Sequence, residues 1–413
     1  MKDKTSAGES AAGTNAGQCR PAETRVKLGC ERLIESQMNL IEGRQIGIVT
    51  NHSGVLPGGR HVVDALRAVP DVRIKALFSP EHGIRGNAPA GKHVENEVDP
   101  QTGIQVYSLY GSHNKPEGSM LSGIDTLVYD IQDVGVRFYT YISTLALAME
   151  AAAEKGIRFI LLDRPLVNSG LIIDGPMLDD EVKSFVGMLR LPVLYGLTAG
   201  ELAGLIRKEH LGKSGLAIDL KIVKLENYSR SMWYDETGLA WLPPSPNIPT
   251  PETAAIYPGT ALIEGTNLSE GRGSRSPFRF IGAPFVDKRK LADALNSNEL
   301  PGVEFNPVDF TPRELTIVSH PRFKDILCHG VEVAVKDRNV LKPVEVGLSI
   351  ICEIRKLHSV ELMFRADGAF NRLVGNKKVR DMIEAGAGYA EVASGWREEL
   401  AKFANSRKEY FLY

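Results

Sequence analysis

Three reactive side chains stand close together near residue 80. An apolar run ends at Ser79-Pro80, and Glu81, His82 and Arg85 follow on a stretch that glycines interrupt. On a loop after a strand, a carboxylate, an imidazole and a guanidinium can bind and activate a polar small molecule, with Glu81 as a general acid in a partly desolvated cleft. The alternative is structural, because Glu81 and Arg85 are spaced for a surface ion pair of little energetic weight.

A second cluster spans residues 130–137 and carries two carboxylates three positions apart. Asp130 and Asp133 could hold a metal ion or orient a sugar hydroxyl. Asp133 could equally cap the helix predicted to begin near Arg137, since aspartate is a favoured N-cap residue. Both interpretations stay open at this point.

A third cluster spans residues 264–273 and lies between glycines that allow close backbone approach to a ligand. It contains two carboxylates, Glu264 and Glu270, with an amide, Asn267, and a guanidinium, Arg272. The glycines could also serve turns alone, in which case the cluster has no role in binding.

Predicted strands place two of these clusters at one edge of a sheet. Alternating apolar segments predict strands over 45–49, 73–78, 126–129 and 158–162, with helices between them. Each strand ends in polar residues, which are Thr50-Asn51-His52, Ser79-Pro80-Glu81-His82, Asp130-Ile131-Gln132-Asp133 and Asp163-Arg164-Pro165. Ligands of open α/β sheets bind beyond the carboxyl ends of the strands, so these side chains should converge there.

The succession of strands and helices predicts an α/β fold, a mostly parallel, Rossmann-like sheet with helices on both faces. Residues 233–258 are rich in proline and predict an ordered but irregular crossing segment. A smaller α+β unit follows, with strands predicted over 315–318 and 331–335 and a helix over 345–357. We therefore predict a disordered tail over 1–23, a catalytic domain over 24–249 and an auxiliary domain over 250–413.

Composition excludes several classes of function. The formal net charge of −2 lacks the basic surplus that nucleic acid requires, and no apolar stretch is long enough to span a bilayer. Nucleotide phosphate loops, zinc-protease motifs and serine-hydrolase motifs are missing, so we expect no cofactor and no metal. The chain as written has no secretory signal, which predicts a cytoplasmic location unless a natural leader is missing from it.

Long and unusual motifs make the chain resemble one family, the exo-β-N-acetylmuramidases of the NamZ type. They lie at residues 78–86, 129–141, 244–250, 257–260 and 264–273. The resemblance runs from about Gly43 to Tyr413. It implies a Rossmann-like domain without a dinucleotide, a smaller C-terminal domain and a site in the cleft between them. The implied reaction releases N-acetylmuramic acid from the non-reducing end of peptidoglycan fragments.

The residues suit that chemistry. Glycoside hydrolysis usually needs one protonated and one ionised carboxyl group, and the resemblance favours Glu81 as the acid. The predicted catalytic set is Glu81, His82, Asp130, Glu264 and Glu270. The partner of Glu81 could be a second carboxylate or the acetamido oxygen of the substrate.

Substrate binding needs a cation for the lactyl carboxylate of muramic acid, because a planar guanidinium pairs well with a carboxylate. The predicted binding set is Asn51, His52, Arg85, Asp133, Arg137, Tyr139, Asn267 and Arg272. Arg85, Arg137 and Arg272 are the candidate clamps, and Asn51, His52 and Asn267 could bind ring hydroxyls or the acetamido group. The expected partner is a muramic acid-containing saccharide, and the oligomeric state stays open.

Two other functions remain possible. The same cleft could belong to a non-catalytic binding protein for cell-wall fragments, although recognition alone seldom needs five carboxylates. Alternatively, Asp130, Asp133 and His82 could serve a metal-dependent hydrolase.

Overall fold

A computed structural model of the chain describes residues 25–81, 83–85, 96–111, 113–315 and 320–413. The strands are β1 Gln45–Thr50, β2 Arg73–Ser79, β3 Glu97–Val98, β4 Gln105–Ser108, β5 Thr126–Asp130, β6 Arg158–Leu162, β7 Asp174–Met177, β8 Pro192–Leu194, β9 Leu220–Val223, β10 Phe280–Ala283, β11 Val303–Phe310 and β12 Cys328–Val335. The helices are α1 Gly29–Ser36, α2 Val62–Arg67, α3 Tyr141–Lys155, α4 Ala199–Leu205, α5 Pro251–Thr260, α6 Lys288–Asn296, α7 Pro343–Leu357, α8 Ala369–Val374, α9 Lys377–Glu384, α10 Tyr389–Ser394 and α11 Arg397–Ser406.

The main sheet has the strand order β3-β4-β2-β1-β5-β6-β9. Every pairing in it is parallel except that of the short strand β3 with β4. The register sets Thr50 of β1 opposite Asp130 of β5, and Ser79 of β2 opposite Ser108 of β4. The predicted mostly parallel sheet is confirmed, and its strands end along one edge.

Helices cover both faces of this sheet because successive strand residues point to opposite sides. On one face, residues such as Phe78 and Tyr129 pack with α3 and α4. On the other face, Leu77 and Val128 pack with α1 and α2. The strands are therefore apolar on both faces, as expected for a buried parallel sheet.

The second half of the chain builds a three-stranded antiparallel sheet, β10-β12-β11, with helices packed beside it. Helix α5 lies against α7 at a crossing that only glycine permits. A Cβ atom on Gly259 would lie 1.6 Å from the Pro343 carbonyl oxygen, and one on Gly347 would lie 2.1 Å from the Gly259 oxygen. This half is the smaller α+β unit that the sequence predicts.

One prediction is wrong. The segment 233–258 is irregular only in its first part, because α5 begins at Pro251. Proline is tolerated in the first helical turn, where its missing N–H has no intrahelical partner to lose. Thr250 caps this turn, since its hydroxyl accepts a hydrogen bond from the Thr253 backbone N–H at 3.1 Å.

Other boundaries move by a few residues. The helix predicted to begin near Arg137 begins at Tyr141, and Gly156, with a φ of 68°, is its C-cap. Most of the strand predicted over 315–318 lies outside the described residues, as do His82 and the predicted tail over 1–23.

Candidate active site

A cavity of about 260 Å³ contains residues from both halves of the chain. Its lining residues are Glu81, Tyr110, Phe138, Tyr139, Thr140, Val186, Ser245, Ile248, Tyr257, Ala261, Glu264, Arg272, Phe278 and Leu373. Four predicted site residues are in this lining: Glu81, Tyr139, Glu264 and Arg272. A larger cavity, of about 490 Å³, lies between α4 and α11, and its described lining includes none of the predicted residues. The volume of a cavity therefore does not identify the candidate active site in this protein.

Glu81 reaches the cavity from the end of β2. Two hydroxyl groups contact its carboxylate: the Thr140 hydroxyl donates a hydrogen bond to Oε2 at 3.4 Å, and the Tyr110 hydroxyl donates another. Thr140 is the residue that precedes α3. Burial, together with the charge of Glu81, raises the pKa of Tyr110, so this hydroxyl keeps its proton.

Glu264 and Arg272 enter the cavity from the second half of the chain. Glu264 lies on the short helical turn after α5, and its Oε1 accepts a hydrogen bond from Arg272 Nη2 at 2.5 Å. Arg272 Nε lies 3.3 Å from Oε1 of Glu270, which is 6% exposed. One guanidinium thus bridges two carboxylates at the wall of the cavity.

Burial and charge act in opposite directions on this group. Burial raises the pKa of Glu270, and the nearby Arg272 guanidinium offsets part of that increase. Burial acts to lower the pKa of Arg272, but Glu264 and Glu270 outweigh it and raise the pKa. Arg272 is therefore a permanent cation, and burial favours the protonated form of Glu270.

The loop that carries Arg272 is fixed by its glycines. Gly271 and Gly273 have φ values of 79° and 77°, in the left-handed region that favours glycine. A Cβ atom on Gly271 would lie 2.5 Å from the Phe280 carbonyl oxygen, and one on Gly273 would lie 2.3 Å from the Arg313 oxygen. The backbone at both glycines approaches its neighbours too closely for any other residue, which fixes the backbone on either side of Arg272.

Aromatic rings form a second wall of the cavity. Tyr257 packs edge-on against Phe278 and Tyr139, with ring centroids 4.8 and 6.1 Å apart. The Tyr139 hydroxyl donates to the Pro244 carbonyl oxygen at 3.0 Å. The Arg272 guanidinium lies 5.3 Å from the centroid of the Phe278 ring, a cation–π distance. Such a wall suits the apolar face of a sugar ring.

The predicted residues at the ends of β1 and β5 are not in this cavity lining, and their side chains form hydrogen bonds with other residues of the protein. Asp130 is fully buried and accepts hydrogen bonds from Arg164 Nε at 2.6 Å and Nη2 at 2.9 Å. Asp133 accepts from the Tyr195 hydroxyl and, at 2.9 Å, from the Gly135 backbone N–H. Asp133 does not cap α3, which begins eight residues later.

Three more predicted residues have protein partners of their own. Asn51 is fully buried, and its Oδ1 accepts from the Ser53 hydroxyl at 2.6 Å. His52 Nε2 contacts the Pro243 carbonyl oxygen at 3.1 Å. Asn267 pairs with the backbone of residues 361 and 363 through its amide nitrogen and oxygen, at 2.8 and 3.0 Å.

Two of the three candidate arginine clamps serve internal contacts. Arg85 donates four hydrogen bonds, of 2.9 to 3.1 Å, to the carboxylates of Asp64 and Asp99. Arg137 is fully buried and donates to three backbone carbonyl oxygens at 2.8 to 3.0 Å, one of them that of Leu373. Of these three arginines, Arg272 is the one in the cavity lining.

Sequence reasoning missed several lining residues. Tyr110 lies two residues after β4, at a fifth strand end that the four polar strand ends of the sequence do not include. Tyr257 stands in one of the motifs that carry the family resemblance. Thr140 and Ser245 gave no separate signal, because nothing local distinguishes them from other hydroxyl residues.

In the described part of the chain, no group of His, Cys, Asp or Glu residues is arranged to hold a metal ion. Within the same residues, no helix is long and apolar enough to cross a membrane.

The fold and the cavity define a class, an α/β protein with a mostly parallel sheet and a cavity lined by two carboxylates and a guanidinium. Family models described as exo-beta-N-acetylmuramidase NamZ, N-terminal and C-terminal, match residues 46–252 and 255–413. The chain belongs to this NamZ family, which confirms the resemblance.

Individual relatives agree with this assignment. The chain is 44% identical over 389 residues to the peptidoglycan beta-N-acetylmuramidase NamZ of Bacillus subtilis (strain 168), covering 94% of this chain and 92% of that protein. Crystal structures of two DUF1343 family proteins from Bacteroides fragilis NCTC 9343 have the same fold, with TM-scores of 0.87 and 0.78 and identities of 36% and 33%. In both cases the match covers 94% of this chain and 99% of the Bacteroides fragilis chain.

Proposed function

We propose that this protein is an exo-acting β-N-acetylmuramidase that releases N-acetylmuramic acid from the non-reducing end of peptidoglycan fragments. The observation that carries the proposal is the convergence of Glu81, Glu264 and Arg272 in one cavity, in a chain that belongs to a glycosidase family. Glycoside hydrolysis usually uses two carboxyl groups, and a guanidinium pairs well with the carboxylate of an anionic sugar.

Glu81 is the proposed general acid because of the groups around it. The hydroxyls of Thr140 and Tyr110 can donate to a carboxylate and can also accept from a carboxylic acid. Glu81 can therefore gain and lose a proton without leaving its neighbours unpaired. It would protonate the glycosidic oxygen as the bond to the leaving sugar breaks.

Glu264 is the proposed second carboxylate. Its partner Arg272 is a cation with donors only, which suits a group that stays ionised during the reaction. The acetamido oxygen of the substrate remains the alternative partner for Glu81. Glu270, which also contacts Arg272, is a further candidate for the second carboxylate. His82 and Asp130 stay predictions of the sequence, and Asp130 has its own partner in Arg164.

Arg272 is the proposed clamp for the lactyl carboxylate. Its guanidinium lines the cavity while it contacts Glu264, so the substrate carboxylate would take part of its hydrogen-bonding capacity. Tyr139 and Tyr257 would pack against the sugar ring. Asn51, His52 and Asn267 are not in the described lining, and we leave them out of the proposed binding set.

We further propose that residues 24–249 and 250–413 are two domains with the active site in the cleft between them. Support comes from the cavity lining, which draws Glu81 from one part and Glu264 and Arg272 from the other. The cytoplasmic location stays a prediction of the sequence.

The test is incubation of the purified protein with a chromogenic glycoside of N-acetylmuramic acid. We expect release of the chromophore, together with free N-acetylmuramic acid, and much slower release from the matching N-acetylglucosamine glycoside. A rise in melting temperature without any release would identify a binding protein instead. Loss of activity on addition of a chelator would identify the metal-dependent hydrolase.

A further inference from the structure

We propose that Tyr110 is a positioning residue for Glu81, held in place by the ring of Phe185 on a tight loop that closes one side of the cavity. The inference rests on the proposed function, since it concerns the carboxyl group assigned there as the acid. It adds a residue that the sequence does not single out.

Sheet register brings Tyr110 and Glu81 together. Ser79 and Ser108 are partners in the parallel pairing of β2 and β4. Glu81 and Tyr110 each follow their strand's serine by two residues, so the two side chains leave the sheet at equivalent positions on neighbouring strands. The backbone N–H of Leu109 donates to the Ser79 carbonyl oxygen at 2.8 Å, which extends the pairing beyond the strands.

The backbone of Tyr110 is itself anchored. The Ser108 hydroxyl contacts both the N–H and the carbonyl oxygen of Tyr110, each at 3.2 Å. These hydrogen bonds fix the backbone of Tyr110 but leave its side chain to be held by other contacts.

Phe185 supplies that support. Its ring centroid lies 6.3 Å from that of Tyr110, with the planes inclined by 57°, a favourable aromatic arrangement. Phe185 lies between Ser184 and Gly187, which exchange two backbone hydrogen bonds of 2.9 and 3.1 Å and so form a tight loop. Val186 of the same loop lines the cavity.

The loop is fixed to the first turn of α3, directly after the residue that contacts Glu81. The Ser143 hydroxyl, in the first turn of α3, donates to the Phe185 carbonyl oxygen at 2.6 Å. Thr140, one turn earlier on the same chain segment, donates to Glu81 directly. Two groups that contact Glu81 therefore depend on the start of α3. Thr140 contacts Glu81 directly, and Ser143 holds Phe185, whose ring packs against Tyr110.

This arrangement has a consequence for the reaction. A tyrosine hydroxyl that donates to a carboxylate favours the charged form, and it can turn to accept when the carboxyl group is protonated. Tyr110 therefore fixes the direction of the acid and donates a hydrogen bond to its charged form.

The experiment compares Tyr110→Phe with wild type on the chromogenic N-acetylmuramic acid glycoside across pH. We expect kcat to fall roughly tenfold, the effect of losing one hydrogen bond to a charged group. KM should stay within about twofold, because ground-state binding is kept. The descending limb of the pH–rate profile should move to higher pH, since the charged carboxylate loses a donor.

Tyr107→Phe is the matched control, because it removes a tyrosine hydroxyl three residues away, on β4, from a ring that packs against Phe78. Phe185→Leu is the second variant, which keeps the Tyr110 hydroxyl but removes its aromatic neighbour, and it should move kcat and the pH limb the same way by less. A pH limb unchanged in both Tyr110→Phe and Phe185→Leu would overturn the inference. Should Tyr110→Phe fail to fold, the Phe185→Leu profile decides alone.

Glu81→Gln separates the two failures. An inactive Glu81→Gln beside a Tyr110→Phe enzyme with the wild-type rate and profile would remove Tyr110 and leave the proposed function standing. An active Glu81→Gln would remove the proposed acid, and the role of Tyr110 with it.

Discussion

Two clusters of polar side chains differ in what surrounds them. The edge cluster consists of Asn51, Asp130 and Asp133. The cavity cluster consists of Glu81, Glu264 and Arg272. The members of the edge cluster are 0 to 7% exposed and bind Ser53, Arg164 and Tyr195. The members of the cavity cluster line an open space of about 260 Å³ and contact each other or hydroxyl groups.

The difference shows that a polar strand end has two uses. At the ends of β1 and β5, each of these buried side chains has at least one hydrogen-bond partner within the protein, so these side chains hold the sheet edge together. At the end of β2, the chain turns out of the sheet at Pro80, and Glu81 faces a space that a ligand could fill. We expect substitutions in the edge cluster to change stability, and substitutions in the cavity cluster to change activity.

Arg164→Ala should give the largest effect. It leaves the buried Asp130 carboxylate without its cation, which typically costs about 3–5 kcal/mol of stability. The free energy of unfolding, measured with urea, checks it. Arg158→Ala is the matched control, because its ion pair with Asp219 is partly exposed and is worth less than about 1 kcal/mol. Equal losses in the two variants would contradict the structural role of Asp130.

Arg272→Ala should act on substrate choice. Loss of the clamp should reduce the preference for N-acetylmuramic acid over N-acetylglucosamine glycosides roughly tenfold, the effect of losing a charged hydrogen bond. Arg272→Lys, which keeps the charge but not the planar fork, should recover part of it. The ratio of kcat/KM for the two glycosides measures the effect.

Arg85→Ala is the comparison for Arg272→Ala. It removes the hydrogen bonds to Asp64 and Asp99, so its melting temperature should fall while the substrate preference stays as in wild type. A preference that falls in Arg85→Ala and stays unchanged in Arg272→Ala would reverse the assignment of the clamp.

Asp133→Asn should have the smallest effect, on the pH dependence of stability. Burial raises the pKa of Asp133 to about 6, so the native state binds this proton more tightly than the unfolded chain does. The stability from this proton is present in full below about pH 4 and is lost as the pH rises through about 6.

Between pH 5 and pH 7.5, the free energy of unfolding of Asp133→Asn should therefore fall by roughly 1 kcal/mol less than that of wild type. Asp163 and Asp174, with pKa values that burial raises to about 6 and about 7, contribute to the slope in both proteins. Asp180→Asn, at an exposed position, should leave the wild-type slope. An identical slope in Asp133→Asn would mean that Asp133 titrates as an ordinary carboxyl group.

Local patterns were enough to predict most of the sheet. Buried parallel strands are short apolar runs, so β1, β2, β5 and β6 stand out from their surroundings. Helix α5 was missed because the prolines before it indicate irregular structure, and Pro251 reads the same in a loop and in a first helical turn. The helix exists because Thr250 caps it and Gly259 lets it pack on α7, and neither contact is visible in a local pattern.

The site could be predicted as a region rather than as a set of side chains. The sequence places Asp130 and Glu81 at strand ends, but the partner of Asp130 is 34 residues away. Arg137 looks like a free cation until its contact with Leu373, 236 residues away, is seen. Which polar group faces a ligand depends on such distant contacts, so residue type and spacing alone do not decide it.

The most direct measurement is the turnover of the chromogenic N-acetylmuramic acid glycoside by Glu81→Gln, with the melting temperature recorded beside it. Loss of the acid should reduce kcat about 100-fold or more, while the melting temperature stays near that of wild type because Glu81 lies in the cavity lining rather than in the core. Near wild-type turnover by a folded Glu81→Gln would contradict the assignment of the chemistry to the cavity cluster.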